Sequence, residues 1–262
     1  MTQPIIEIKS LGKVYPHPVR PLQALSGISF SVAPGQFVSI VGASGCGKST
    51  LLQIVAGLIE GSEGEVLVDG GLVTGPMPGK IAVVFQDALL LPWRTALANV
   101  ELPLELKGVD KSLRRKKAEE MVELVGLGGF GDRLPHELSG GMRQRVSIAR
   151  GLVQDPSIVM MDEPFGALDE LTRTRMGDEL LRIWEATQKT ILLITHSLSE
   201  AIYLSDTVYV MGRDPGRILE QVTVDLPRPR NIDMMGSETF GRLRNRLWKL
   251  IGSDESAPRG DV

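Results

Sequence analysis

From Phe37 to Leu58 the chain reads FVSIVGASGCGKSTLLQIVAGL: an apolar, β-branched run, a glycine-rich loop closing on Lys-Ser-Thr, then an amphipathic stretch. The loop fits the pattern G-x-x-x-x-G-K-[ST] and stands after a strand and before a helix, where that pattern needs to stand. Its glycines permit a turn whose N–H groups point inward, and the helix that follows adds the positive end of its dipole, so the whole is a cradle for phosphate. Gly42, Ala43, Ser44, Gly45, Cys46, Gly47, Lys48, Ser49 and Thr50 are therefore candidate nucleotide-binding residues. Lys48 reaches the terminal phosphates, and Ser49 offers its hydroxyl to Mg²⁺. A chance glycine turn would not bring strand, loop, helix and Lys-Ser into register together.

Short apolar runs recur along the chain: KIAVVFQ (Lys80–Gln86), SIVMMDE (Ser157–Glu163), TILLITH (Thr190–His196) and TVYVM (Thr207–Met211). Each is near-continuously apolar, as in a sheet covered on both faces. Helical patterns follow Lys48, span Ser112–Val125, Gly140–Val153 and Glu170–Ala186, and follow Ser197. Ser112 is expected to cap its helix and Gly126 to end it, and Ser197-Leu-Ser-Glu200 has capping-box spacing. Alternating strands and helices predict an α/β fold with a mainly parallel core sheet. Residues 87–155, rich in Leu, Lys, Arg and Glu, hold no convincing strand and read as a helical insertion. Beyond Arg213 the pattern weakens into a Pro/Arg-rich linker (DLPRPRNID), a basic helix over Gly241–Ile251 and a loose tail, Ser253–Val262.

Bulk properties exclude several classes. The 262 residues suffice for one large or two small domains, and a net charge of −3 offers no broad basic face for nucleic acid. The cluster Arg114–Lys117 reads as a solvated helix face. A single cysteine, Cys46, rules out an internal disulfide and suits a reducing compartment. The opening MTQPIIEIKS lacks the basic start and apolar stretch of a signal peptide, and no run of about 20 apolar residues predicts a membrane crossing.

Polar residues close three of the apolar runs. Asp162 and Glu163 would cost solvation at a strand end unless they met a cation or water. Asp162 suits coordination of Mg²⁺, and Glu163 can polarise an attacking water. His196 is either a structural histidine or a contact to a γ-phosphate; its place at the carboxyl end of a strand favours the contact. Gln86 can offer an amide oxygen to Mg²⁺ or water, or be a solvated strand-end amide. Farther along, LSGGMRQR (Leu138–Arg145) opens another helix: Ser139 is a good N-cap, and two glycines admit a ligand to the backbone. One chain thus carries two phosphate-seeking helix starts.

The order GASGCGKST, VVFQ, LSGGMRQR, IVMMDEP, GALD and LLITH resembles the ATP-binding subunits of ABC transporters over roughly Ile5–Met211. The resemblance implies a P-loop NTPase core with a mainly parallel sheet, an antiparallel β subdomain and a helical insertion. The ABC ATPase domain would span residues 5–225 (core 5–86 and 156–225, helical subdomain 87–155), followed by linker, basic helix and tail over 226–262. It implies ATP and Mg²⁺, and a head-to-tail dimer in which Ser139, Gly140 and Gly141 of one subunit meet the γ-phosphate held by the loop of the other. Carried over by motif, Glu163 is the catalytic base, His196 the switch histidine, Gln86 the Q-loop residue and Asp169 the D-loop aspartate, with Ser49, Gln86 and Asp162 around Mg²⁺. Tyr15 matches the aromatic that stacks on adenine, an ordinary strand tyrosine being the alternative. Met142 stands where the family has Gln, and Ser197 follows His196 where Asp is common. Neither change removes a required group.

LLLPWRTALANVELPLE, FGALDELTR and DPGRI are similar to ATPases serving bacterial importers of nitrate, sulfonates and taurine. That implies a transport-coupled ATP hydrolase, a homodimer or a dimer with another ABC subunit, peripheral on the cytoplasmic face of the inner membrane. Its partners would be transmembrane permease subunits and, indirectly, an extracytoplasmic solute-binding protein, with no nucleic acid. Asp87–Trp93 would lie near the membrane partner, Trp93 being otherwise a core residue. A soluble ABC ATPase of DNA repair or translation would often carry a coiled-coil insertion or two cassettes, and neither is present. An exporter or lipid-transport subunit is the other rival, against which LPW and DPGRI count. Cys46 either simply fits the turn or, beside Lys48 and a helix N-terminus, has a lowered thiol pKa and is readily alkylated unless ATP protects it.

Overall fold

The computed structural model describes residues 3–256; of the tail Ser253–Val262, residues 257–262 lie outside the described residues. In chain order the elements are β1 (Ile6–Tyr15), β2 (Leu22–Val32), β3 (Phe37–Gly42), α1 (Lys48–Val55), β4 (Glu63–Val68), β5 (Gly71–Leu72), β6 (Ile81–Val84), α2 (Ala96–Leu106), α3 (Lys111–Leu124), α4 (Gly140–Leu152), β7 (Ile158–Asp162), α5 (Glu170–Thr187), β8 (Thr190–Ile194), α6 (Leu198–Leu204), β9 (Thr207–Gly212), β10 (Arg217–Thr223) and α7 (Glu238–Ser256). They form two compact units: one runs to Met77 and resumes at Thr190, the other is Pro78–Lys189. The fold is the expected α/β P-loop NTPase type.

In the first unit β3 lies between β8 and β9 and parallel to both, while β10 returns antiparallel along β9. Every residue of β3, β8 and β9 is buried, which is why these runs show no polar alternation. α1 buries Leu51, Leu52 and Val55, each contributing about 1.5–3 kcal/mol. A second, antiparallel sheet in the order β2–β1–β4–β5 corresponds to the β subdomain. The two sheets of this unit meet where the rings of Phe30 and Tyr209 lie 4.4 Å apart and the Tyr209 hydroxyl donates to the Ser31 carbonyl at 3.0 Å.

In the second unit β6 runs parallel to β7, and α2, α3 and α4 pack on one another. These are the helices of the strandless stretch, each with its own start signal. Thr95 caps α2 and Ser139 caps α4, each by accepting a backbone N–H. α3 corrects the expected cap: Asp110, not Ser112, stands at its start, and its carboxylate accepts from the Ser112 hydroxyl and the N–H groups of Ser112 and Leu113. Gly126, at φ 65, follows the helix end as expected. Glu101 of α2 is buried between Arg114 and Arg115 of α3, at 3.4 and 3.2 Å.

The C-terminal segment differs from its reading as linker and short helix. α7 extends from Glu238 to Ser256, burying Phe240 and Leu247. Asp254 fastens it to the β9–β10 turn, accepting from the Arg213 N–H at 2.9 Å and the Arg217 guanidinium at 2.6 Å. The proline-rich stretch ahead of it is fastened too, since Arg228 and Arg230 donate to carbonyl oxygens at the end of α6.

Candidate functional site

The loop between β3 and α1 is shaped by what passes beneath it. A Cβ on Gly42 would stand 2.3 Å from the carbonyl oxygen of Met211 in β9 and 2.8 Å from Cys46 Sγ. Gly47, with φ 97, caps α1 and makes no side-chain cap bond. The first bond within the helix runs from the Leu51 N–H to the Gly47 carbonyl at 2.9 Å, so the amides of the opening turn face out of the helix end. Lys48 is 6% exposed; its Nζ donates to the carbonyls of Gly42 and Ala43, both at 2.9 Å. Among the described residues no carboxylate pairs with it. A buried ammonium without a carboxylate partner, beside a helix start whose cap supplies no side-chain acceptor, fits a polyphosphate.

The structure decides between the two readings of Cys46. Its thiol is 1% exposed, and burial pushes its pKa up, outweighing the nearby Lys48. It packs under the loop and is a poor nucleophile, which favours the reading as a small residue that fits the turn.

Tyr15 ends β1 half-buried, its hydroxyl 3.4 Å from Thr50 Oγ1. The Lys13 ammonium lies 5.1 Å over one face of its ring and donates to the Glu60 carbonyl at 2.7 Å. Sequence reasoning missed Lys13, although a cation two residues before a strand aromatic lies on the same strand face. His196 lies two residues past β8. Ile194 pairs with Ile40, so His196 and Gly42 stand at the same carboxyl end of neighbouring parallel strands. Ser197 caps α6 by accepting the Glu200 N–H at 3.3 Å, the cap half of the expected box.

In the second unit, Val84 of β6 pairs with Met161 of β7, which sets Gln86 level with Glu163. Glu163 has φ 45, a left-handed conformation that costs a non-glycine residue about 1 kcal/mol or more. A Cβ on Gly166 would be 3.0 Å from Gln86 Nε2, so the Gln86 amide lies against the turn that follows Glu163. Gln144 of α4 donates to the Phe85 carbonyl at 3.1 Å, holding the residue before Gln86. Asp162 is the last residue of β7, half-buried beside Glu163.

Ser139 accepts the Met142 N–H at 3.3 Å. Met142 thus serves the cap through its backbone, which any residue supplies. Cβ atoms on Gly140 and Gly141 would lie 3.3 Å from Leu168 and Thr172 side chains, so the start of α4 sits close against the start of α5. Asp169 caps α5; hydrogen bonds from the Thr172 hydroxyl and backbone hold its carboxyl below the usual range.

Trp93 is 73% exposed and Leu89 60%, so the core reading of Trp93 fails. The segment bearing them is pinned from below. Arg150, in the last turn of α4, donates to the carbonyls of Ala88 and Leu89, both at 2.8 Å. Asn99, fully buried in α2, accepts from the Leu91 N–H at 2.8 Å and donates to the carbonyls of Leu91, Arg94 and Thr95. No described helix is long and apolar enough to cross a membrane.

Comparison with known proteins agrees with this geometry. Residues 25–166 match the family model described as ABC transporter. An uncharacterized ABC transporter ATP-binding protein of Methanocaldococcus jannaschii is 49% identical over 226 residues, 86% of this chain and 84% of that protein. An aliphatic sulfonates import ATP-binding protein of Bacillus cereus is 43% identical over 242 residues, 92% of this chain and 94% of that one. Among solved structures, an ATP-binding cassette captured as a dimer in a post-hydrolysis state with ADP and Pi is 32% identical, with TM-score 0.73 over 85% of this chain and all of that one.

Proposed function

Because the chain belongs to the ABC transporter family of ATP hydrolases, we propose that it is the subunit that energises an importer of nitrate, a sulfonate, taurine or a similar small solute. Similarity to the sulfonate import protein supports the importer reading. The observation that carries the nucleotide reading is the buried Lys48, without a carboxylate partner among the described residues, beside a helix start that no side chain caps.

In this reading ATP is the substrate, and the Gly42–Thr50 loop binds its phosphates through backbone amides and Lys48. Tyr15 stacks on adenine by the ring face opposite Lys13. Ser49, Gln86 and Asp162, all oxygen donors, would hold Mg²⁺, which neutralises charge on the phosphates. Glu163 takes a proton from the attacking water, and His196 contacts the γ-phosphate. Ser139, Gly140 and Gly141 complete the site of a second subunit, so hydrolysis requires a dimer. Asp87–Trp93 docks on a transmembrane permease subunit: Leu89 and Trp93 are exposed while the backbone of the segment is pinned by Arg150 and Asn99. The protein is then peripheral on the cytoplasmic face of the membrane, served indirectly by a solute-binding protein.

The test is steady-state ATP hydrolysis measured against protein concentration, in wild type and Glu163→Gln. Wild-type specific activity should rise with concentration as dimers form. Glu163→Gln should bind ATP and dimerise, yet hydrolyse about 10²–10⁴-fold more slowly. Near-wild-type turnover in that variant, or specific activity independent of concentration, would contradict the scheme.

A further inference from the structure

α6 is two turns long, and side chains hold both its ends. At the start, the Thr195 hydroxyl donates to the Glu200 carboxylate at 2.6 Å and accepts from the Ser197 N–H at 3.0 Å. Glu200 donates its N–H to the Ser197 hydroxyl at 3.3 Å. His196 is the residue between those two anchors, so its backbone is tied to the first turn of α6. At the far end, Arg230 donates to the carbonyls of Ile202, Tyr203 and Ser205 at 3.1, 2.9 and 2.8 Å. Arg228 donates to the Leu204 carbonyl at 2.8 Å and to Asp206 at 2.9 Å. Arg230 is 8% exposed, and it comes from the proline-rich stretch beyond β10.

The physics of this contact is specific. The last carbonyls of a helix have no partner within it and carry the negative end of its dipole. Arg230 serves the three carbonyls through one nitrogen, Nη1, whose two hydrogens they share, while its Nη2 reaches the Leu226 carbonyl at 3.4 Å. Seven residues make a rod of about 10 Å, too short to be stable in isolation, so its position is set by its packing through Ala201–Leu204 and by these end contacts.

We propose that Arg230, assisted by Arg228, is a positioning residue for His196: by fastening the C-terminal end of α6 it sets where the chain leaving β8 presents the histidine. The segment read from sequence as a linker is thereby part of the catalytic apparatus. This deepens the reading of His196 as a γ-phosphate contact and rests on it.

The experiment compares steady-state ATP hydrolysis by the full chain in wild type, Arg230→Met, Arg230→Lys, Arg228→Ala, His196→Ala and the double variant Arg230→Met/His196→Ala, with melting curves to establish folding. Arg230→Met should lower kcat about tenfold, inside the roughly 10²-fold that a 1 Å misplacement can cost. KM for ATP should stay within about twofold, since the Gly42–Thr50 loop is untouched. Lysine, which can serve some of the same carbonyls, should restore much of the rate. In the His196→Ala background, Arg230→Met should cause little further loss of residual rate. If Arg230→Met does not fold, Arg230→Lys and Arg228→Ala should show the same split with a smaller fall in kcat. A folded Arg230→Met with unchanged kcat overturns the inference, as does a loss fully additive with His196→Ala or one expressed in KM. A fully active His196→Ala overturns the reading beneath it as well, so the two failures are distinguishable.

Discussion

Replacing Gly42 by alanine asks whether the first position of the phosphate loop is reserved by space rather than by backbone conformation. The new Cβ would stand 2.3 Å from the Met211 carbonyl oxygen and 2.8 Å from Cys46 Sγ. Ordinary contact requires roughly 1 Å more. The first obstacle is backbone, because Gly42 and Met211 face each other in the parallel β3–β9 pair, and it cannot rotate aside. Overpacking costs about 1–3 kcal/mol, and one or two lost ladder bonds add about 1 kcal/mol each. The sum is roughly 2–5 kcal/mol, which at about 2–4 °C per kcal/mol lowers Tm by something between about 4 and 20 °C. Gly45→Ala is the control. Its Cβ would meet nothing within 4 Å, and only its φ of +78 resists, for about 1–2 kcal/mol and a few degrees. Scanning calorimetry of the three proteins, with ATP binding measured by titration, decides the matter. If Gly42→Ala melts within a degree or two of wild type, or if Gly45→Ala falls further, close approach of β9 is not what reserves the position.

Two other outcomes are expected. Ser139→Arg should abolish turnover while single-subunit ATP binding, followed by titration, stays close to wild type; lost binding would argue against action on a partner's nucleotide. Cys46 should resist iodoacetamide in the native protein at pH 7, because a raised pKa leaves less thiolate at any given pH. Labelling should accelerate only above the ordinary thiol range or on unfolding, and fast native labelling at pH 7, followed by mass spectrometry, would contradict the buried environment.

The parts of the fold that could be read directly were those where one physical demand dominates. β3 is buried on both faces, and in FVSIVG only Ser39 is polar, its hydroxyl hydrogen-bonded to that of Ser205; the ends of the run coincide with the observed strand. β1 and β2 were not singled out, because register shifts between Ile8 and Leu11 and again between Lys13 and Val14 break the alternation that marks a one-sided strand. α2 hid behind Pro103 within it and behind buried Asn99 and Glu101, whose partners lie on the preceding loop and on α3. At the candidate site, Lys48 and the loop around it were found from a local pattern. Arg230 was not, because its partners stand 25 to 28 residues earlier in the chain and a Pro/Arg-rich stretch has no local signal for burial. Sequence left the thiol of Cys46 with two readings for a related reason. Sequence shows the charge beside it but not the desolvation, and desolvation wins.

α4 joins two sites that the sequence presents separately. Ser139 stands at its N-terminus and Arg150 in its last turn, gripping Ala88 and Leu89, while Gln144 midway holds Phe85. Thirteen helical residues make a strut of about 20 Å. The helix runs without a break over that length, so its two ends are parts of one rigid element. A rigid-body shift of α4 that displaces Ser139 displaces the grip on Ala88 and Leu89 as well, whereas the backbone on either side of Trp93, at Leu91 and Arg94, answers to Asn99 of α2.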